Sequence, residues 1–267
     1  MMKTELKVFW ILAIAVMAVC SASKAANRIT VVTSHSPGKS KAELASKGYL
    51  SAWVQVNGKA ILCDTGKQSN PLPQKLDELG LEVNLIDAVV FTHNQLEGVP
   101  DLSDVLISTE KPKKVFVPAP LGSASVFQNL NAKIVEVSEP TGVLTDAWLV
   151  GPMKIEHKDG TTAEQVLVLD KPDGLVVIVG CSHPGVVSVV KKVREVFGAR
   201  KIKLVAGGFH LQATSKNDIK EISLGLQRMG IDSLALSSCT GEAALKIFRK
   251  EWGHRVLSFD QGDTITY

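Results

Sequence analysis

The chain has 267 residues, 45% of them hydrophobic and 21% charged, which suits one sizeable core and excludes disorder and collagen-like repeats. Its formal charge is +3, but Lys3, Lys7 and Lys24 stand against Glu5 in residues 1–26, leaving 27 basic and 26 acidic side chains beyond them. That balance removes the electrostatic argument for nucleic acid, which needs a basic stripe to displace counterions.

Lys3 and Lys7, the apolar run Val8 to Val19, and the small residues Ser21, Ala22, Ser23, Ala25 and Ala26 stand in the order of a secretory signal peptide. Cleavage after Ala25 or Ala26 leaves one domain over residues 27–267, in the periplasm or outside the cell. The apolar run is 12 residues, shorter than the roughly 20 a bilayer needs, so no stable membrane span is expected after cleavage. An uncleaved anchor and a lipid on Cys20 are the alternatives. Removing the signal leaves Cys63, Cys181 and Cys239, and with an odd number at least one thiol stays free or pairs with another chain.

Arg28 to Thr33 is a β-branched strand, and Ser34 to Lys41, with its Pro-Gly pair, is a loop that holds a surface histidine, His35. Ser51 to Val56 and Lys59 to Cys63 flank Asn57-Gly58, a strong hairpin signal. Asp64-Thr65-Gly66 ends the second of these strands, and Pro73 to Leu79 is a short helix stopped by Gly80. Ala88 to Phe91 is a buried strand that ends abruptly in Thr92, His93, Asn94, Gln95, Leu96, Glu97 and Gly98. Ligands of α/β folds bind at the carboxyl ends of strands, so this polar cluster is a candidate site, with a solvated loop as the competing reading.

Lys114 to Val117 and Lys133 to Val137 are predicted strands with a helix over 123–130 between them. Ala147 to Val150, Met153 to His157 and Gln165 to Leu169 form an antiparallel meander with turns at Gly151-Pro152 and His157 to Gly160. Gly174 to Gly180 is a buried strand that delivers Cys181, Ser182 and His183 to the start of a helix over 186–197. That context suits a ligand, although a lone histidine is more often structural. Lys201 to Ala206 is a strand leading to His210, Asn217 to Met229 a helix capped by Gly230, Ser233 to Leu236 a strand, and Glu242 to Trp252 a helix capped by Gly253. His254 follows as a surface residue, and the final strands lie within Arg255 to Tyr267.

The ordered elements ILCDTG (Ile61 to Gly66), IDAVVFTH (Ile86 to His93), GLVVIVGCSHPG (Gly174 to Gly185), VAGGFHL (Val205 to Leu211) and SSCTGEAAL (Ser237 to Leu245) resemble the metallo-β-lactamase superfamily. More narrowly they resemble its branch of dihydropterin ribofuranosylaminobenzene phosphate synthase-like proteins. The resemblance runs from about residue 50 onward and implies an α/β fold, an αβ/βα four-layer sandwich with the site along one edge. A doubly wound parallel sheet is the runner-up, weakened by the early hairpin and the antiparallel middle.

The family's H-x-H-x-D-H signature is degenerate here. His93 is kept, but Gln95, Glu97 and Gly98 stand for the second histidine, the aspartate and the last histidine, and Ser238 replaces the histidine of H-C-T-G. His183 retains the histidine of G-C-S-H. The resemblance therefore implies one metal at most, zinc or iron, held by His93, His183 and Glu97 with Gln95 as a weak fourth ligand. Glu97 and Asp64 are the catalytic candidates, and Asp64 is implied to lie under the metal site and orient a histidine, or to cap its own turn. His210, Ser238, Cys181 and Cys239 are implied to line the pocket. A disulfide or a soft metal ligand is conceivable for Cys181 and Cys239, against inert buried thiols, and thiol catalysis is a distant third reading. The expected function is that of an exported metal-dependent hydrolase acting on a small molecule; the alternative is a metal-free, non-catalytic ligand- or partner-binding member of the fold.

Overall fold

In a computed structural model of the chain, residues 27–34, 50–66, 72–94, 99–121, 124–157 and 160–267 are described. The expected signal segment over 1–26, His35, Gln95 and Glu97 lie outside them. Among the described residues fourteen strands form two seven-stranded sheets. The first sheet runs in the order β14 (Thr264–Thr266), β1 (Arg28–Thr33), β2 (Ser51–Val56), β3 (Lys59–Cys63), β4 (Ile86–Val90), β5 (Lys113–Pro118), β6 (Ala132–Val137). The second runs β13 (Val256–Ser258), β12 (Ser233–Leu236), β11 (Ile202–Gly207), β10 (Gly174–Val179), β9 (Gly160–Lys171), β8 (Ala147–His157), β7 (Thr141–Leu144).

Each sheet joins an antiparallel half to a parallel half. β3 to β6 pair in parallel, and so do β10 to β13. Parallel neighbours need crossovers, and the crossovers include helices α1 (Leu72–Glu78) and α2 (Val99–Leu106) in the first sheet and α3 (Val186–Phe197), α4 (Lys216–Arg228) and α5 (Glu242–Trp252) in the second. The β2–β3 hairpin turns on Asn57 at φ 50° and Gly58 at φ 76°, the positive pair that makes Asn-Gly a hairpin turn.

Three apolar clusters account for the layers. On β2 the alternation sends Ala52, Val54 and Val56 toward β8, β9 and β10, where they meet Leu149, Leu167 and Val176, while Trp53 faces the other way onto Leu72 and Leu76 of α1 and Leu102 of α2. On α3 the buried positions Val186, Val189, Val190 and Val193 recur at the spacing of one helix face, and they join Ile219, Leu226, Phe248 and Trp252 over the second sheet. Each fully buried valine or leucine contributes about 1.5–3 kcal/mol relative to exposure. Helix, sheet, sheet, helix is the αβ/βα order expected, and two separate sheets rule out the doubly wound alternative.

Three local expectations are corrected. Of the segment 123–130, the described residues hold a 3-10 turn, Ala124–Phe127, in place of the expected helix. Gly151-Pro152 is not a turn between strands; β8 passes through it with a register shift between Val150 and Met153, because a bulge absorbs the residues that break the ladder. The helix Val99–Leu106 was not foreseen; in it Leu102, Val105 and Leu106 are buried against the first sheet.

Candidate functional site

The carboxyl ends of β3, β4, β10, β11 and β12 share one edge, and a backbone bridge between His93 and Glu164 joins the two sheets there. The Gln165 N–H donates to Thr92 O at 2.7 Å, and the Asn94 N–H donates to Ala163 O at 3.1 Å. Asn94 returns the contact by accepting the Ala163 N–H on Oδ1 at 3.0 Å. Gln165 Nε2 donates to Phe91 O at 2.8 Å. The loop after β4 is thus fastened to a strand of the opposite sheet, which fixes one histidine from each half relative to the other.

The first arm comes from β3 and β4. Asp64, buried and at φ 53°, accepts the Thr92 N–H on Oδ1 at 2.8 Å and the Thr92 hydroxyl on Oδ2 at 2.5 Å. Thr92 Oγ1 also lies 3.2 Å from His93 Nδ1, and with the hydroxyl proton given to the carboxylate, His93 Nδ1–H becomes the donor. Burial pushes the Asp64 carboxyl up, against the lowering effects of His93 and the two Thr92 hydrogen bonds. Gly180 makes this packing feasible: a Cβ there would stand 2.1 Å from Thr92 Oγ1 and 3.2 Å from Asp64 Oδ2. Thr92 therefore stands between Asp64 and His93, hydrogen-bonded to the carboxylate and next to the ring.

The second arm comes from β9 and β10. Glu164, with 4% of its side chain exposed, accepts from His183 Nδ1 on one oxygen and from the His183 N–H on the other, the latter at 3.1 Å. Ser182, at φ 58°, turns the chain so that both donors face the carboxylate. The hydrogen bond to Glu164 holds the His183 pKa above the ordinary imidazole range despite partial burial. His210, also at positive φ, places its ring 4.6 Å from that of His183, and the His93 ring is 6.4 Å from it on centroids. Burial, then the charge of His183, holds His210 low.

Below these rings the interaction between the two neighbouring thiols raises Cys181 and lowers Cys239. Ser237 Oγ lies 3.1 Å from Cys239 Sγ. Ser238 is buried, and its N–H donates to Asp260 Oδ1 at 3.3 Å. His254 is exposed after α5, as expected.

The structure thus brings His93, His183, His210, Asp64, Cys181, Cys239 and Ser238 to one edge, while Gln95 and Glu97 lie outside the described residues. Glu164 was missed. Its signal is the pair Glu164-Gln165 set directly before the apolar run Val166 to Leu169: consecutive residues face opposite sides, both are buried, and buried polar side chains need partners.

A family metal can be tested against these residues. Two metals do not fit, because Gly98 and Ser238 carry no imidazole. One ion fits the histidines: a ligating histidine gives its second ring nitrogen to a carboxylate or similar partner, and both Nδ1 atoms are so engaged, which assigns coordination to Nε2. Among the described residues no three His, Cys, Asp or Glu side chains converge as ligands.

No family model matches the chain. It is 24% identical to the 7,8-dihydropterin-6-methyl-4-(beta-D-ribofuranosyl)-aminobenzene-5'-phosphate synthase of Methanocaldococcus jannaschii, a match covering 74% of this chain and 82% of that protein. Among solved structures, Tm1679, a metal-dependent hydrolase of the beta-lactamase superfamily, superposes with a TM-score of 0.68 at 23% identity, covering 90% of this chain and 99% of that one. The metallo-beta-lactamase fold protein YhfI from Bacillus subtilis gives 0.61 at 12% identity, covering 89% and 98%. The chain therefore has the metallo-β-lactamase fold and is similar in sequence to the dihydropterin ribofuranosylaminobenzene phosphate synthase of that archaeon.

Proposed function

We propose that the protein is an exported hydrolase with a remade mononuclear site, in which His93 and His183 hold one zinc or iron ion through Nε2 and Glu97 completes the set. The observation that carries this reading is the matched support of the two histidines, Thr92 on one Nδ1 and Glu164 on the other. A bound ion would lower the pKa of a water to about 7 and polarise the substrate. The chain's own part is to fix the tautomers, to keep both rings oriented, and to hold a buried carboxyl, Asp64, behind Thr92. Because Glu164 raises the His183 pKa, loading competes with a proton, and affinity falls as pH drops through that raised value. The order of charges, apolar run and small residues at the N-terminus supports export.

The test is elemental analysis of untagged protein expressed to the periplasm, beside a His93→Ala, His183→Ala double variant. About one metal per chain in the parent and none in the variant is expected. No metal in the parent overturns the metallo reading and leaves ligand binding by the same edge.

A further inference from the structure

We propose that Cys181 and Cys239 form a redox-active dithiol, open to exchange with small-molecule disulfides and closing to an internal disulfide at the base of the site. The proposal stands on placement and is independent of the metal reading. Cys181 follows β10 and Cys239 follows β12, and β11 lies between those two strands. Strands lie about 4.8 Å apart, so side chains from the outer two would ordinarily be separated by those of the middle one. Here the middle strand ends in Gly207 and Gly208. A Cβ on Gly208 would stand 1.9 Å from Cys239 Sγ, so the thiol fills the space that a side chain of the middle strand would take. The same place lies 2.8 Å from the carbonyl oxygen of Gly180, the residue directly before Cys181, so the two cysteines stand side by side.

Cys63 is excluded from this pairing. It is 1% exposed within the core between the sheets, among Ile61, Ala88 and Val90. Cys181 is also buried, and Cys239 keeps some exposed surface although its thiol is enclosed; in the proposal Cys239 makes the first attack and Cys181 is the resolving thiol. The exchange balances without a further component. The Cys239 sulfur attacks a disulfide R–S–S–R, forming a protein–S–S–R bond and breaking the R–S–S–R bond, and its proton leaves with the first R–SH. The Cys181 sulfur then attacks Cys239 Sγ, the mixed disulfide breaks, and the second R–SH leaves with the Cys181 proton. Both thiols are oxidised, and one disulfide is reduced to two thiols.

The test exposes the native full chain to glutathione and glutathione disulfide at graded ratios, quenches with acid, and maps the disulfides by mass spectrometry of peptides. The expected result is a cross-linked peptide pair containing Cys181 and Cys239 that rises with the disulfide ratio and reverses on reduction, with Cys63 unmodified. In a Cys181→Ser variant, a stable glutathione adduct should accumulate on Cys239. A native chain in which Cys239 stays glutathionylated without cross-linking, or in which neither thiol reacts at any ratio, overturns the proposal. The parent measurement decides it even where the variant fails to fold.

Discussion

The two histidine arms solve one problem with different electrostatics. On His183 a buried carboxylate touches the ring directly, so its charge acts on the imidazole and raises its pKa. On His93 a hydroxyl stands between ring and carboxylate, and Asp64 spends both oxygens on Thr92. The difference teaches that a carboxylate can orient a histidine at one remove, through a hydroxyl, while its charge still meets the imidazole through space. The burden then moves to the carboxylate, whose pKa is pushed up by burial.

The comparison is broken most severely at Gly180, where the arms touch. Gly180→Ala forces a methyl to 2.1 Å from Thr92 Oγ1. Overpacking of this kind costs about 1–3 kcal/mol, and the rigid surroundings put this case near about 3 kcal/mol. Urea unfolding should show it as a lowered midpoint, and a midpoint equal to the parent's would mean that Thr92 can rotate away without loss.

Glu164→Gln sharpens the second arm. It keeps the shape but removes a buried charge-assisted contact, which costs about 2 kcal/mol. The sign of its pH dependence follows from His183. A histidine raised in the folded state adds stability that is fully present below its unfolded pKa of about 6.5 and is lost as pH rises through the folded value. The variant's penalty should therefore be larger at about pH 6 than at about pH 9. Metal affinity, measured by competition with a chromophoric chelator, should fall about 10–100-fold. A penalty independent of pH would show that the carboxylate's charge does not reach the ring.

What the sequence revealed and concealed follows the same division. His93 was legible because an apolar run stops at Thr92, and His183 because a buried strand meets a helix start; both signals are local. The Asn57-Gly58 hairpin was legible for the same reason, since its positive φ angles belong to two adjacent residues. Glu164 was not, because its role depends on a partner 19 residues away, across the β9–β10 turn. The Gly151-Pro152 bulge was misread because a turn and a bulge use the same residues, and only the pairing of β8 with β9 distinguishes them. The meeting of Cys181 with Cys239 was conceivable from their motifs, but the empty place over Gly208 that lets them touch belongs to the packing alone.

The smallest effect, and the one that most directly separates the arms, is expected from Thr92→Val. The substitution removes the hydroxyl between Asp64 and His93 while the Thr92 N–H contact to Oδ1 remains. Loss of one donor from a buried carboxyl costs about 1 kcal/mol, and it pushes the Asp64 pKa further up. For a carboxyl whose folded pKa exceeds its unfolded value of about 3.9, the native state binds more protons than the unfolded chain, so stability declines as pH rises through that interval. The penalty of Thr92→Val should therefore grow from about pH 4 toward neutrality, opposite in direction to that of Glu164→Gln. Unfolding curves of Thr92→Val from about pH 4 to 7 and of Glu164→Gln from about pH 6 to 9 give the comparison directly. Equal penalties for Thr92→Val at both ends would mean that the hydroxyl positions His93 without carrying any of the charge on Asp64.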